Sequence, residues 1–295
     1  MTTVSVVIPA YNSERFISRC LHSLENQQTD IPYEIIVVDS SKDSTPNIIR
    51  THFPSVKLIH LETQTMPGAG RNIGVKEAKG EIIAFIDSDC VAHPHWINDA
   101  VRDIRSGYEI VGGSVANGNP ETLVSIADHI ITFNEFLPYM PRREVPFMPT
   151  CNFICTKKAF HDVGGFSDDL FAGEDTLFSY HAAKKYKLLF NPGIRIRHHN
   201  RDTFKKFFGH HYTFGRHSSI LRKRNDLPGN ILARMPILTF GAPLVRFQRI
   251  SFRMIRWNRK MLPSFFLSLP HFSLGIMAWG YGFITQTFSR KSYKH

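Results

Sequence analysis

Two carboxylates one residue apart, Asp87 and Asp89, close an apolar run, Ile82–Ile86. Such a run reads as a strand buried on both faces. Carboxylates gain nothing inside that core, so the pair belongs just past the strand's carboxyl end, where open α/β sheets bind ligands. Two acidic groups with one small residue between them can bring oxygens to a hard divalent cation and the phosphates it neutralises. A second acidic pair, Glu174-Asp175, stands at the start of a predicted helix. Structural capping by the helix dipole accounts for acids there. A carboxylate in that place can also act as a general base, if partial burial and an acidic neighbour raise its pKa toward neutrality. Residues 194–199 alternate as a strand and end in His198 and His199. Neighbours on a strand face opposite sides, so one of the two reaches a common site.

The elements between these groups must place them. Residues 4–8 form a predicted strand, broken by Pro9-Ala10-Tyr11-Asn12. Asn12 is expected to cap a helix whose apolar positions Ile17, Cys20, Leu21 and Leu24 recur at helical spacing. Residues 33–38 form a second strand ending at Asp39, and Ser44 or Thr45 is expected to cap the next helix, with Pro46 at its first position. A third strand covers residues 56–61, and a small-residue segment from Gly68 to Gly74 opens the helix before the Asp87 strand. Strands alternating with single helices imply right-handed crossovers and a mostly parallel sheet. Pro9-Ala10-Tyr11, Asp39 and Asp87 then lie along one rim, and a nucleotide site there follows from topology. Gly68, Gly70 and Gly74 are one residue too widely spaced for the dinucleotide fingerprint and follow the third strand, which argues against a dinucleotide-binding enzyme.

Hydrophobic content of 42% suits a globular core. The four cysteines, Cys20, Cys90, Cys151 and Cys155, lack metal-ligand spacing and read as buried or incidental thiols in a reducing cytosol. The net charge of +11 is uneven: residues 1–200 hold 19 Lys/Arg against 23 Asp/Glu, and residues 201–295 hold 17 against 2. In that basic tail Arg246, Arg249, Arg253, Arg256 and Lys260 share one helical stripe, and Phe247, Ile250, Met254, Trp257 and Met261 the adjoining one. A cationic stripe beside an apolar one is how an interfacial helix reads. Residues 262–289 carry no charge, but Gly275, Gly280, Gly282 and Gln286 make a weak span. Basic groups flank it on both sides, Arg259 and Lys260 before and Arg290, Lys291 and Lys294 after, so charge does not choose a topology. A monotopic region on the anionic, cytoplasmic face of the membrane is expected, with no nucleic-acid partner.

Six stretches together carry a resemblance: residues 5–12, Val37-Val38-Asp39, Gly70-Arg71-Asn72-Ile73-Gly74, Phe85-Ile86-Asp87-Ser88-Asp89, Gly164-Gly165-Phe166 and Glu174-Asp175. In order and interval, across roughly residues 4–216, they resemble the family 2 glycosyltransferases. The resemblance implies an α/β GT-A fold, with a mostly parallel central sheet covered by helices on both faces. It implies a catalytic domain over residues 1–216, while the tail's own pattern marks residues 217–295 as a basic amphipathic and hydrophobic membrane-associating region, where a lipid-linked or envelope-glycan acceptor is expected. It further implies an inverting transfer from a nucleotide-sugar donor, with Mg2+ or Mn2+ on the donor diphosphate. By position, Pro9, Ala10, Tyr11 and Asp39 match the nucleoside pocket, with Arg71 nearby. Asp89 matches the direct metal ligand and Asp87 the ribose-side contact of the same metal pair. Asp175 matches the general base, with Glu174 beside it, and His198 the histidine that helps hold metal or diphosphate. Two departures stand out. Ser40-Ser41 replace the Asp and Gly that often follow Asp39, removing a carboxylate that could read the donor's base, and Cys90 stands where a further acid is common. The rivals are a nucleotidyltransferase of similar fold, which would release pyrophosphate, and a non-enzymatic nucleic-acid binder, whose binding would depend strongly on salt.

Overall fold

The computed structural model describes residues 3–289, so the flanking Arg290, Lys291 and Lys294 lie outside the described residues. Apolar, largely β-branched runs form β1 (Val4–Ala10), β2 (Tyr33–Asp39), β3 (Lys57–His60) and β4 (Ile82–Ile86). Val6, Val7, Ile8, Ile36, Val37, Ile83 and Phe85 are fully buried, as near-continuous apolar strands covered on both faces should be. The four pair in parallel in the order β3-β2-β1-β4, joined through helices Ile17–Glu25, Thr45–His52 and Pro67–Glu77. Register sets Ala10 level with Asp39, and Asp39 level with His60. The expected rim is there.

Past β4 the sheet continues with antiparallel strands. β5 (Cys90–Ala92), β6 (Ile110–Asn117), β7 (Arg143–Glu144), β8 (Asn152–Thr156) and β9 (Leu188–His198) extend it in the order β8-β6-β9-β5, with β7 on β9. Asn152, opposite Ile86 at the β4–β8 seam, is fully buried. Its amide nitrogen donates to the carbonyls of Ser114 and Ile194, at 3.1 and 3.0 Å, and its oxygen accepts from the Trp96 ring N–H at 2.9 Å. One satisfied polar side chain thus ties three strands to the helix Trp96–Arg105, which is the condition for burying it. β9 then carries His198 to a position opposite Cys90.

Two caps differ from expectation. The first helix starts at Ile17, and Asn12 sits in the left-handed region at φ 50°. The Asn12 N–H donates to Ser41 Oγ (2.7 Å) and its side-chain oxygen accepts from the Lys42 N–H (3.0 Å), lacing the β1 exit to the β2 exit. Ser44 stands at the cap position of the second helix but makes no side-chain cap bond; Asp43 accepts from the Thr45 N–H at 3.0 Å instead. Short polar side chains bond whichever orphan donor lies near, and nearness across loops is absent from local sequence.

The chain divides into two compact units: one up to Ala116 plus Pro141–His198, the other Asn117–Met140 plus the chain from His199. The expected division at 216 falls inside an unbroken helix, Phe204–Arg224, which packs within the second unit against Leu269–Phe288. A Cβ on Gly215 or Gly282 would lie 1.9 or 2.0 Å from the carbonyl oxygen of Trp279 or Tyr212, so these two backbones touch. Helix Leu123–Phe133 joins the same unit from far back in the chain. There Asp128, fully buried, meets His211 at 3.0 Å and Arg201 at 3.4 Å. Arg201 takes one oxygen of that carboxylate and His211 lies at the other, with His210 close by.

On helix Ala242–Trp257 two members of the expected lipid-facing stripe, Ile250 and Met254, turn inward, while Trp257 stays 41% exposed. Two cations of the basic stripe point inward as well. Arg246 donates to the Ile131 carbonyl (3.3 Å), and Arg253 to Asn134 Oδ1 (2.5 Å) and Glu135 Oε1 (2.9 Å). Leu244, Val245, Phe252 and Ile255 face outward instead.

Candidate active site

Arg71, on the helix Pro67–Glu77 of the first unit, holds the acidic groups together. It is 3% exposed, and its two terminal nitrogens donate to carboxylates from distant parts of the chain, Nη1 to Glu174 Oε1 and Nη2 to Asp87 Oδ1, each at 2.7 Å. Its guanidinium also lies 5.7 Å from the centre of the Phe166 ring. Only a planar, always-charged fork can hold two carboxylates at once and still stack on an aromatic face. Burial disfavours that charge, but Asp87 and Glu174 outweigh it and push the Arg71 pKa up. Arg71→Met would leave Glu174 buried without its cation. Breaking a buried ion pair costs about 3–5 kcal/mol, and the lower end is expected because the Asp87 side chain is 31% exposed. Urea unfolding measures it; a loss below about 1 kcal/mol would mean the clamp adds little to stability.

Glu174 and Asp175 open the helix Glu174–Ala182, entered through Gly173 at φ 90°, a left-handed turn suited to glycine. Successive helical residues point about 100° apart, so Glu174 turns to Arg71 while Asp175 turns away. Asp175 Oδ1 accepts from the Thr176 N–H at 2.6 Å and from its hydroxyl at 3.3 Å. Burial first, and the charge of Glu174 second, push the Asp175 carboxyl up to about 7, against the opposing pull of Thr176 and Arg71.

Asp89 Oδ1 stands 3.5 Å from His198 Nε2 and accepts from the Cys90 thiol at 3.7 Å. The β5–β9 register makes this meeting, because Cys90 pairs with His198. Burial keeps Cys90 a neutral thiol. The Asp89 carboxylate, 30% exposed, and the His198 imidazole nitrogen therefore converge. His199, on the opposite face of the chain, has Nε2 at 3.4 Å from the Asn119 amide in the second unit. Cys151 is hydrogen-bonded to Cys90, and burial, with the charges of Asp87, Asp89 and Asp175 behind it, pushes its thiol up. Arg71, bonded to both Asp87 and Glu174, is what brings their sequence neighbours Asp89 and Asp175 into the same part of the first unit.

At the β1–β3 end of the rim, Ala10 is buried and Tyr11 is 43% exposed. Ser13 Oγ and Ser88 Oγ, 2.8 Å apart, tie the β1 exit to the loop bearing Asp87 and Asp89. Asp39, expected to face a nucleoside, is fully enclosed. Its Oδ1 accepts from the Ser41 N–H (3.3 Å) and hydroxyl (2.5 Å), and its Oδ2 lies 2.6 Å from His60 Nδ1. The His60 side chain, 23% exposed, is the one that reaches the surface from this pair. Sequence reasoning gave His60 no role. The signal that could have found it is strand register, which levels the end of β3 with Asp39.

A family model described as Glycosyl transferase family 2 matches residues 5–164, more than half of the chain. The chain belongs to that family. In this family 2 chain the matched region holds Asp39, Arg71, Asp87 and Asp89 and stops before Glu174, Asp175 and His198. The glycosyltransferase AglE of Haloferax volcanii is 31% identical over 196 residues, 63% of this chain and 64% of AglE. TarS of Staphylococcus aureus, a poly(ribitol-phosphate) beta-N-acetylglucosaminyltransferase, is 31% identical over 195 residues, 62% of this chain and 32% of TarS. The chain thus spans less than two thirds of the length of these relatives. The crystal structure of TarS 1–349 with UDP-GlcNAc has a TM-score of 0.53 at 23% identity, over 93% of this chain and 81% of that one. Mannosyltransferase PcManGT of Pyrobaculum calidifontis, in complex with GDP-Man and Mn2+, gives 0.61 at 17% identity, over 98% and 88%. Both likenesses are of fold, and the GT-A architecture is what they share with this family 2 chain.

Proposed function

We propose that the chain is an inverting, metal-dependent glycosyltransferase that moves a sugar from a nucleotide-sugar donor to an acceptor hydroxyl. The observation that carries this reading is the acidic cluster around Arg71, where burial and the charge of Glu174 push the Asp175 carboxyl up to about 7. Asp89 and His198 fit a divalent cation, Mg2+ or Mn2+, through one carboxylate oxygen and one imidazole nitrogen. Fold neighbours that hold GDP-Man with Mn2+, or UDP-GlcNAc, support that assignment. When bound, the cation supplies charge neutralisation for the leaving diphosphate.

The chain's own residues do the rest. Arg71 fixes Asp87, which holds the ribose side of the donor. Asp175 takes the acceptor's proton while the acceptor oxygen bonds to the anomeric carbon, from the face opposite the diphosphate. The bonding pair of the broken bond leaves with the nucleoside diphosphate, so a single displacement inverts the centre. Glu174 stays on Arg71, and its charge keeps Asp175 basic enough for the transfer. A lipid-linked or envelope-glycan acceptor suits the strongly basic second unit. Incubation with a panel of nucleotide sugars and Mn2+ tests the reading: nucleoside diphosphate and a product of inverted configuration are expected. Pyrophosphate released from a nucleoside triphosphate, with no sugar transfer, would put the nucleotidyltransferase in its place.

At the nucleoside end, His60 reads the base and Asp39 fixes its tautomer through Nδ1. His60→Ala is expected to raise the donor KM about tenfold, the worth of one well-placed hydrogen bond, and to leave kcat within about twofold. Steady-state kinetics separates the two; an equal fall in kcat would move His60 into the chemical step.

A further inference from the structure

The second unit turns its apolar side chains outward. Among the described residues 23 large apolar side chains are exposed, and only Tyr11 and Phe171 of these belong to the first unit. Ile237, Leu267, Phe252, Phe240, Met277 and Leu244 are the most open, at 61–87% exposure. They come from successive elements: Pro236–Thr239 and the turn after it, Ala242–Trp257, Leu262–Leu267 and Leu269–Phe288. On the last helix Leu274, Met277, Tyr281 and Phe288 recur on one open side, while Phe272, Ile276, Trp279 and Phe283 are buried. A helix apolar on both sides has a core contact on one and wants a partner on the other.

Charge names the partner. Residues 201–289 hold 14 Lys/Arg against Asp202 and Asp226, and Asp226 is already paired with Arg234 at 3.0 Å. Arg249, Arg256, Arg259 and Lys260 are exposed among the apolar side chains. A second copy of the chain would bring the same cations face to face, and a nucleic acid would leave the apolar side chains unanswered. An anionic lipid surface answers both. The bend between the last helices favours lying over crossing. Among the described residues no single helix is long and apolar enough to cross a membrane, and the two that pass together, Arg259–Leu267 and Leu269–Phe288, are bent by 81°.

We propose that the outward apolar face of the second unit docks in the plane of an anionic membrane, with Ile237, Phe240 and Phe252 in the acyl boundary and the exposed arginines at the headgroups. This docking does not depend on what the first unit transfers. The test is co-sedimentation of the full chain with vesicles of phosphatidylcholine and phosphatidylglycerol, against phosphatidylcholine alone. Binding at least about tenfold tighter to the anionic vesicles is expected, and the variant Ile237→Glu/Phe252→Glu should lose at least about tenfold, with an unchanged melting curve. Trp257 is 41% exposed and the other two tryptophans are buried, so brominated lipids should quench Trp257 in the unaltered chain. No sedimentation with anionic vesicles, or no quenching, overturns the proposal. So does a well-folded double variant that binds like the parent, or a lipid-free dimer that the variant breaks while neither form binds vesicles.

Discussion

Asp175→Asn should remove about 10²–10⁴-fold of kcat/KM, the share a positioned general base contributes, while the donor still binds with its KM within about twofold. The pH profile makes this more than a loss of activity. Burial and Glu174 push the Asp175 carboxyl up to about 7, and a base works only when deprotonated, so turnover by the unaltered enzyme should rise along an acid limb centred near that value. The same shift predicts a stability change of definite sign. The folded-state pKa lies above the ordinary value of 3.8, so the folded chain binds this proton more tightly than the unfolded one. That contribution is whole below the unfolded pKa and is lost as the pH rises through about 7. Asparagine never ionises, so the variant should melt higher than the parent at pH 8, by several degrees at about 2–4 °C per kcal/mol, and show no such gain at pH 4. An Asp175→Asn variant that kept its acid limb near neutrality would hand the base's role to another group.

Asp89→Asn should be as severe for a different reason. Losing several kcal/mol of charge stabilisation on the leaving diphosphate corresponds to roughly 10³-fold in rate. Here binding fails along with chemistry. In the unaltered chain Mn2+ and a nucleoside diphosphate together should raise the melting temperature by mass action, and in the variant that shift should vanish. Calorimetric titration separates the two carboxylates: the Asp175 variant keeps the Mn2+-dependent nucleotide affinity and the Asp89 variant loses it. Full EDTA-sensitive turnover in the Asp89 variant would move the cation to other ligands.

Much of this was legible in the residues. β1, β2 and β4 announce themselves as unbroken apolar runs, because strands covered on both faces have no polar side to show. Asp87 and Asp89 could be placed at a strand end by the cost of burying them, and Glu174-Asp175 by its place in a family pattern. What stayed hidden is nonlocal. Arg71 spans 16 residues to Asp87 and 103 to Glu174, and no local rule links three such positions. The Asp39–His60 pair exists only through the register of two parallel strands. On Ala242–Trp257 the periodicity was correct, and its apolar stripe is divided between core and surface. Hydrophobic spacing marks that a face is apolar and cannot tell a core from a bilayer, so Ile250 and Met254 went inward. The compact units divide elsewhere than 216 for a similar reason: Leu123–Phe133 packs with helices far along the chain, and composition carries no trace of that.

All four sulfhydryls are enclosed and none is joined to another. A maleimide added to the folded enzyme must therefore wait for the chain to breathe before it can alkylate anything. Cys90 and Cys151 lie among the acidic groups, Cys20 reaches the Asp87 carbonyl at 3.6 Å, and Cys155 sits within β8. Mass spectrometry of slow alkylation would time the opening of these places separately, so the enzyme carries its own stopwatches, with no dye or engineered probe.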